Sequence, residues 1–333
     1  MNQIGRVYNR SKDLLFIPAL DRYWRRQLSG LVICLLYHRV DSPSNNQFLS
    51  MGGSPVIPPG DLDRELRFLK MQGAMFLTFA DLRNGVFPGD SEFGVIISFD
   101  DCFLDNYTYG LEVLENLGIK GVFFQTTGMI EPKELIWEHT LYWLNRSDDL
   151  SRSFTLLARR VLSKLDGVDC RHGSDLITFL RENVDLATVE RLISCAKSEL
   201  SLTEESGAVV QKIYPKASHV RNAHELGHEI GSHGHVHAKR QNIDDARFDA
   251  ELATSARTLS NILGTKPKAF SYPFNSYKDG DNRICARYFQ QAATVDKQCI
   301  RRDTDPMWLP RFTWPGPTRD QLRQRRWLLT GTI

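Results

Sequence analysis

Apolar positions along this chain follow two alternating rhythms. The continuous apolar run at 31–37 is the pattern of a strand covered on both faces, as in a parallel sheet, and 94–99 and 122–126 read as a further buried strand and another strand. Between them, Leu62, Leu66 and Leu69 recur at helical spacing, which predicts a helix over 61–72 with Asp61 as its cap, and 104–117 reads as a second amphipathic helix. A short strand at 76–79 and a helical turn at 80–85 complete this part, and the Pro/Gly/Ser/Asn-rich stretch 41–60 reads as a loop. Such alternation implies a largely parallel sheet or barrel. The rhythm breaks between about 131 and 215, where 137–143, 154–165, 175–182 and 186–200 all read as helices, predicting a helical insertion. It then resumes: helix 218–226, strand 229–232, helix 243–263, strand 268–272, helix 279–289 and strand 292–295.

Composition narrows the class without deciding it. The 333 residues, 41% hydrophobic and 25% charged, suffice for one large domain or two. Lys plus Arg number 42 against 40 Asp plus Glu, so no global charge favours nucleic acid, and no nucleic-acid partner is expected. The six cysteines (34, 102, 170, 195, 285 and 299) are scattered without a CxxC pair, which fits reduced thiols. The apolar stretch 14–20 is short, contains Pro18 and runs into Asp21-Arg-Tyr-Trp-Arg-Arg26, so no secretion signal is read, and no run is long enough to span a membrane. A cytoplasmic location is therefore expected. Basic residues alternate with Trp and Leu at Tyr23-Trp-Arg-Arg26 and Arg323-Gln-Arg-Arg-Trp-Leu-Leu329, either capping the fold or making peripheral contact with the inner membrane's anionic surface. The expected division is an extension over 1–30, a main unit over 31–312 and a basic tail over 313–333.

Candidate chemistry gathers after the predicted strands. Ile97-Ser-Phe-Asp-Asp101 ends a buried strand in two carboxylates; neighbours on an extended chain point opposite ways, so one can bind a metal while the other serves as a base. A helix cap for 104–117 is the plain structural alternative. Five of the nine histidines crowd into 224–237. His224-Glu225-Leu-Gly-His228 matches the zinc-peptidase pattern H-E-x-x-H, which needs a continuous helix that Gly227 and Gly231 oppose. The competing reading takes His233 and His237, just past the strand 229–232, as two nitrogen ligands with His235 pointing elsewhere. Two His and one carboxylate leave a fourth position for water on a tetrahedral Zn²⁺. In Phe270-Ser-Tyr-Pro-Phe-Asn275, the backbone N–H of Phe274 can meet a developing oxyanion, and Tyr272, Phe274 or Trp314 offers an aromatic face for a substrate ring. His38, Asp100-Asp101, His233 with His237, and 272–274 then share the C-terminal ends of four predicted strands, the face of an α/β barrel where catalytic groups gather.

Together, Leu36-Tyr-His-Arg-Val40, Ile97-Ser-Phe-Asp-Asp-Cys-Phe-Leu-Asp-Asn-Tyr107, Gly227-His-Glu-Ile-Gly-Ser-His-Gly-His-Val-His237, Phe270-Ser-Tyr-Pro-Phe-Asn275 and Leu309-Pro-Arg311 resemble, in order, the polysaccharide deacetylase (NodB-homology) family of carbohydrate esterases. The resemblance implies a distorted (β/α)7 barrel and metal-dependent removal of N-acetyl groups from amino sugars. It makes Asp100 the general base, Asp101, His233 and His237 the metal ligands, and Phe274 an oxyanion contributor. Zn²⁺ is the default ion, with Co, Ni or Mn compatible with the same donors. The family's Gly after the Asp pair is Cys102 here, its Gly after Pro-aromatic is Asn275, and no His follows His237 to supply the usual late general acid. In the branch with an early Tyr-His motif the acid comes from the first strand, where His38 stands; Arg311 substitutes for the arginine that orients the base. The expected partner is an N-acetylated sugar or glycan, nucleotide-linked or lipid-linked if processed inside the cell. The alternative is a sugar-binding or scaffold protein with a degenerate deacetylase fold.

Overall fold

The structure is a computed structural model that describes residues 17–53, 55–162, 173–200, 203–316 and 321–330. Its strands are β1 (Val32–Tyr37), β2 (Arg39–Val40), β3 (Val56–Ile57), β4 (Met75–Leu77), β5 (Gly94–Phe99), β6 (Val122–Gln125), β7 (Glu229–Ser232), β8 (Ala269–Ser271), β9 (Gln291–Ala293) and β10 (Phe312–Thr313). The main sheet is parallel throughout, in the order β10-β1-β5-β6-β7-β8-β9, with β4 paired to the first half of β5. It curls: Leu309 bridges to Ala293 of β9, and Phe312, three residues on, pairs with Leu35 of β1, so one segment touches both edges.

Alternation along each strand sorts two cores. Val32, Cys34, Ile96, Val122, Phe124, Ala269 and Ala293 pack together inside the curl, whereas Ile33, Leu35, Tyr37, Val95, Ile97, Phe99 and Phe123 face the covering helices. Phe123 there stacks between Phe99 and Tyr107, with ring centroids 5.1 and 5.3 Å away. The same parity carries Ser98 and then Asp100 to the inner side, above the apolar layer of Ile96.

The insertion comprises helices Trp137–Leu144, Asp148–Val161, Gly173–Asn183, Leu186–Glu199 and Thr203–Ile213. It shares an apolar core with Phe270, Tyr272 and Phe289, and so is joined to the sheet. The last residues of the helix predicted over 154–165, Cys170, and the first residues of the chain lie outside the described residues.

Several local expectations are corrected. The helix predicted over 61–72 runs Pro59–Met71 and is started by Pro58 and Pro59, whose fixed φ suits a first turn; Asp61 does not cap it but pairs with Arg64. The 104–117 run divides into a π-turn Asn106–Gly110 and an α-helix Leu111–Leu117, and neither Asp100 nor Asp101 caps it. The loop 41–60 contains β3 and a 3-10 turn, Gln47–Gly52; helix 279–289 shortens to Asp281–Cys285. Helix Gln321–Thr330 buries Trp327, Leu328 and Leu329 in the main core, so the apolar residues of that basic stretch are used inside the protein. No helix among the described residues is long and apolar enough to cross a membrane.

Candidate metal centre

Asp100 follows β5 and points inward onto a polar layer. Arg311 grips it with two parallel bonds, both 2.7 Å, while Ser271 Oγ donates to Asp100 Oδ2 at 3.0 Å. Arg311 itself donates to Ser98 Oγ, Ser271 Oγ and the Thr294 carbonyl, so the guanidinium is extensively bonded despite complete burial. Such satisfaction is what makes a buried ion pair tolerable. Burial alone would raise the Asp100 carboxyl, but the Arg311 charge and, less strongly, His233 carry it below its ordinary value. Asp100 is thus held ionised with its oxygens oriented.

Asp101, the next residue, turns away on left-handed backbone. One of its carboxylate oxygens and one nitrogen each of His233 and His237 lie within 4.8 Å of one another. His237 Nε2 stands 3.1 Å and His233 Nε2 3.4 Å from Asp101 Oδ1. The opposite nitrogens are tethered: His233 Nδ1 to the Ser271 carbonyl at 2.8 Å, His237 Nδ1 to Glu138 Oε2 at 2.7 Å. An imidazole that donates from Nδ1 presents a lone pair at Nε2, as a metal requires. One carboxylate and two such imidazoles fit a divalent cation. Burial opposes charge on His237, yet the Asp101 and Glu138 carboxylates on either side raise it to about 10, so this field favours a cation.

Neighbouring backbone fixes the histidine loop. Glu251 accepts the N–H groups of His235 and Val236 at 2.9 and 2.8 Å, and Gly128 N–H donates to the His235 carbonyl at 2.7 Å. A Cβ on Gly128 would lie 2.5 Å from that carbonyl oxygen, so glycine is required there. His235 turns to Thr127 instead, its Nδ1 2.9 Å from the hydroxyl.

His38, half-buried after β1, lines the same cavity, and its Nδ1 is buried with no hydrogen-bond partner among the described residues. Burial lowers its pKa, against the pull of Asp101 and Asp100. The cavity, about 330 Å³, is lined also by Asp100, Asp101, Glu138, His139, His233, His237, Phe274 and Asn275. Phe274 lies on left-handed backbone, and Asn275 and Ser276 N–H donate to the Tyr272 and Pro273 carbonyls, leaving the Phe274 N–H outside these bonds. Asp101, Cys102, His237, Phe274 and Asn275 have φ of 62, 60, 57, 58 and 51°. Each such non-glycine residue costs on the order of 1–3 kcal/mol, and strain of this kind collects at functional sites.

Other candidates fall elsewhere. His224 is on helix Ala217–Glu225, which ends before His228. His228 Nδ1 accepts the Gly121 N–H at 3.0 Å and Nε2 pairs with Glu115 at 2.9 Å, so the H-E-x-x-H arrangement is not formed. Trp314 is buried against Tyr37 and bonded to Glu65, not free for a sugar; Tyr272 does line the cavity, but it is almost wholly buried and stacked on Trp308. Missed from sequence were Ser271, Glu251 and above all Glu138. The only signal for Glu138 was an acid inside the aromatic run Trp137-Glu-His-Thr-Leu-Tyr-Trp143.

One family model matches part of the chain. The family described as "Polysaccharide deacetylase" matches residues 198–288, the segment that carries His233 and His237. Among solved structures, the Streptococcus pyogenes deacetylase PplD in complex with acetate is 14% identical with a TM-score of 0.54, over 86% of this chain and 93% of that one. IcaB from Ammonifex degensii is 16% identical, TM-score 0.54, over 90% and 97%. A polysaccharide deacetylase from Bacillus cereus is 15% identical, TM-score 0.55, over 90% and 69%. Comparison with curated proteins returns no match. At these identities the structural likeness shows a shared fold.

Proposed function

We propose, for a chain that belongs to the polysaccharide deacetylase family, metal-dependent hydrolysis of N-acetyl groups on an amino-sugar-containing glycan or glycan precursor. One observation carries the proposal: Asp101, His233 and His237 converge beside an Asp100 clamped by Arg311, all in one cavity. The curled sheet is read as the distorted (β/α)7 barrel of that family, supported by the Leu309 bridge between its edges.

The ion held by Asp101, His233 and His237, with Zn²⁺ the default, would supply Lewis acidity and lower the pKa of water. Asp100, kept ionised by Arg311, accepts the proton of the attacking water. Ser271 and Arg311 fix the direction in which that proton is taken. The Phe274 N–H donates to the oxyanion that forms at the acetamide carbonyl. His38, neutral at rest in its buried setting, takes up the proton that Asp100 has removed from the water and passes it to the departing amine, which returns both groups to their starting states. The cavity suits one sugar unit rather than a bulky folded partner, and the half-buried Phe274 ring is the aromatic face left for it. Cys102 and Asn275, which replace family glycines, sit in the left-handed conformation that glycine favours, and they leave Asp101 beside its imidazoles.

The experiment is acetate release over a panel of N-acetylated sugars with added divalent metals, on wild type and Asp100→Asn. The wild type should release acetate, and the variant should bind metal while kcat falls by about 10²–10⁴. Substantial turnover by Asp100→Asn contradicts the base assignment. Stoichiometric metal without acetate release from any substrate favours the degenerate sugar-binding reading.

A further inference from the structure

The two metal-facing histidines are supported differently. His233 directly follows β7, and its Nδ1 meets the Ser271 carbonyl of the adjacent strand. His237 lies further along the loop, on left-handed backbone, and its Nδ1 meets a buried carboxylate from the helical insertion, Glu138. The other oxygen of Glu138 accepts the Tyr142 hydroxyl and lies 3.7 Å from the Arg181 guanidinium; both residues also belong to the insertion. Trp137, the residue before Glu138, donates its indole N–H to the Val236 carbonyl at 2.9 Å, so the same helix grips the loop twice. Phe274 closes the other side, its ring 4.4 Å from that of His237 and 5.7 Å from the Arg181 guanidinium.

We propose that Glu138 is a positioning residue of the metal centre, through which the docked insertion sets the aim and donor strength of His237. The inference rests on the metal-dependent reading above. Its physical basis is that a carboxylate accepting from Nδ1–H fixes both the tautomer and the ring rotation and makes Nε2 a better donor than a backbone carbonyl does. The insertion is therefore part of the centre: a shift of helix Trp137–Leu144 moves a ligand. Tyr142 and Arg181 keep Glu138 from swinging into the cavity to become a ligand itself.

The test measures metal dissociation constants on metal-free protein, by competition with a chromophoric chelator, for wild type, Glu138→Gln and Glu138→Ala, with thermal unfolding of the metal-free proteins alongside. Glu138→Ala should weaken binding by about 10–100-fold. Glu138→Gln should fall between, because its amide oxygen still accepts from Nδ1–H without the charge. Wild-type affinity in a folded Glu138→Ala overturns the proposal, as does equal loss in both variants. Should both fail to fold, Tyr142→Phe and Arg181→Ala replace them: weaker binding supports the proposal and unchanged binding overturns it. A wild type that binds no metal overturns the metal centre itself, an outcome distinct from failure of the Glu138 inference.

Discussion

At the floor of the sheet, where β7 begins, His228 has both ring nitrogens engaged within the protein, with Gly121 N–H and Glu115. At the roof, where β7 ends, His233 and His237 each have one tethered nitrogen and one aimed at Asp101. Burial does not separate the two cases, since all three residues are buried. What separates them is what the second nitrogen faces: for His233 and His237 it is the one carboxylate they share, Asp101. A histidine with both positions satisfied is a brace for β6 and β7, and its pKa is pushed down by burial against the opposing pull of Glu115. One whose second nitrogen shares a carboxylate with another imidazole is placed to ligate a cation.

Four substitutions break or sharpen that contrast. His233→Ala removes a ligand and should abolish stoichiometric metal and turnover together, read by elemental analysis and acetate release. Arg311→Ala leaves the Asp100 carboxylate buried without its partner, which should cost about 3–5 kcal/mol and appear as a lower denaturant midpoint. His228→Ala strands the Gly121 N–H at the floor and should cost about 1–3 kcal/mol in the same measurement while metal content stays at wild type. His224→Ala, on the helix before β7, should change stability by no more than about 0.5 kcal/mol and leave metal untouched. Metal loss in either of the last two would erase the distinction between floor and roof.

Much of the roof was legible in the sequence because strand ends are marked twice: by an apolar run that stops, and by the polar residues placed where it stops. Asp100 after Phe99, His233 after Ser232 and His38 after Tyr37 are found that way. The Asp100–Arg311 pair depends on curl, which brings residues 211 positions apart to 2.7 Å, and no local pattern encodes that closure. Glu138 was hidden for a related reason. Its helix reads as an amphipathic segment of an insertion, and helical periodicity says which face is buried without saying which loop it is buried against. Helix 104–117 hid a π-turn because apolar spacing does not distinguish a π-turn from regular helix over one turn. Asp61 misled as a cap because Pro58 and Pro59 had already begun the helix.

The proposed hydrolysis depends on one carboxylate and two imidazoles sharing an ion at the C-terminal ends of the strands. Anomalous diffraction at the metal's absorption edge, from crystals of the protein grown with that metal, tests it directly. A single strong peak is expected about 2.0–2.2 Å from Asp101 Oδ1, His233 Nε2 and His237 Nε2. A peak between His224 and His228, or none near Asp101 in protein shown to carry metal, would contradict it.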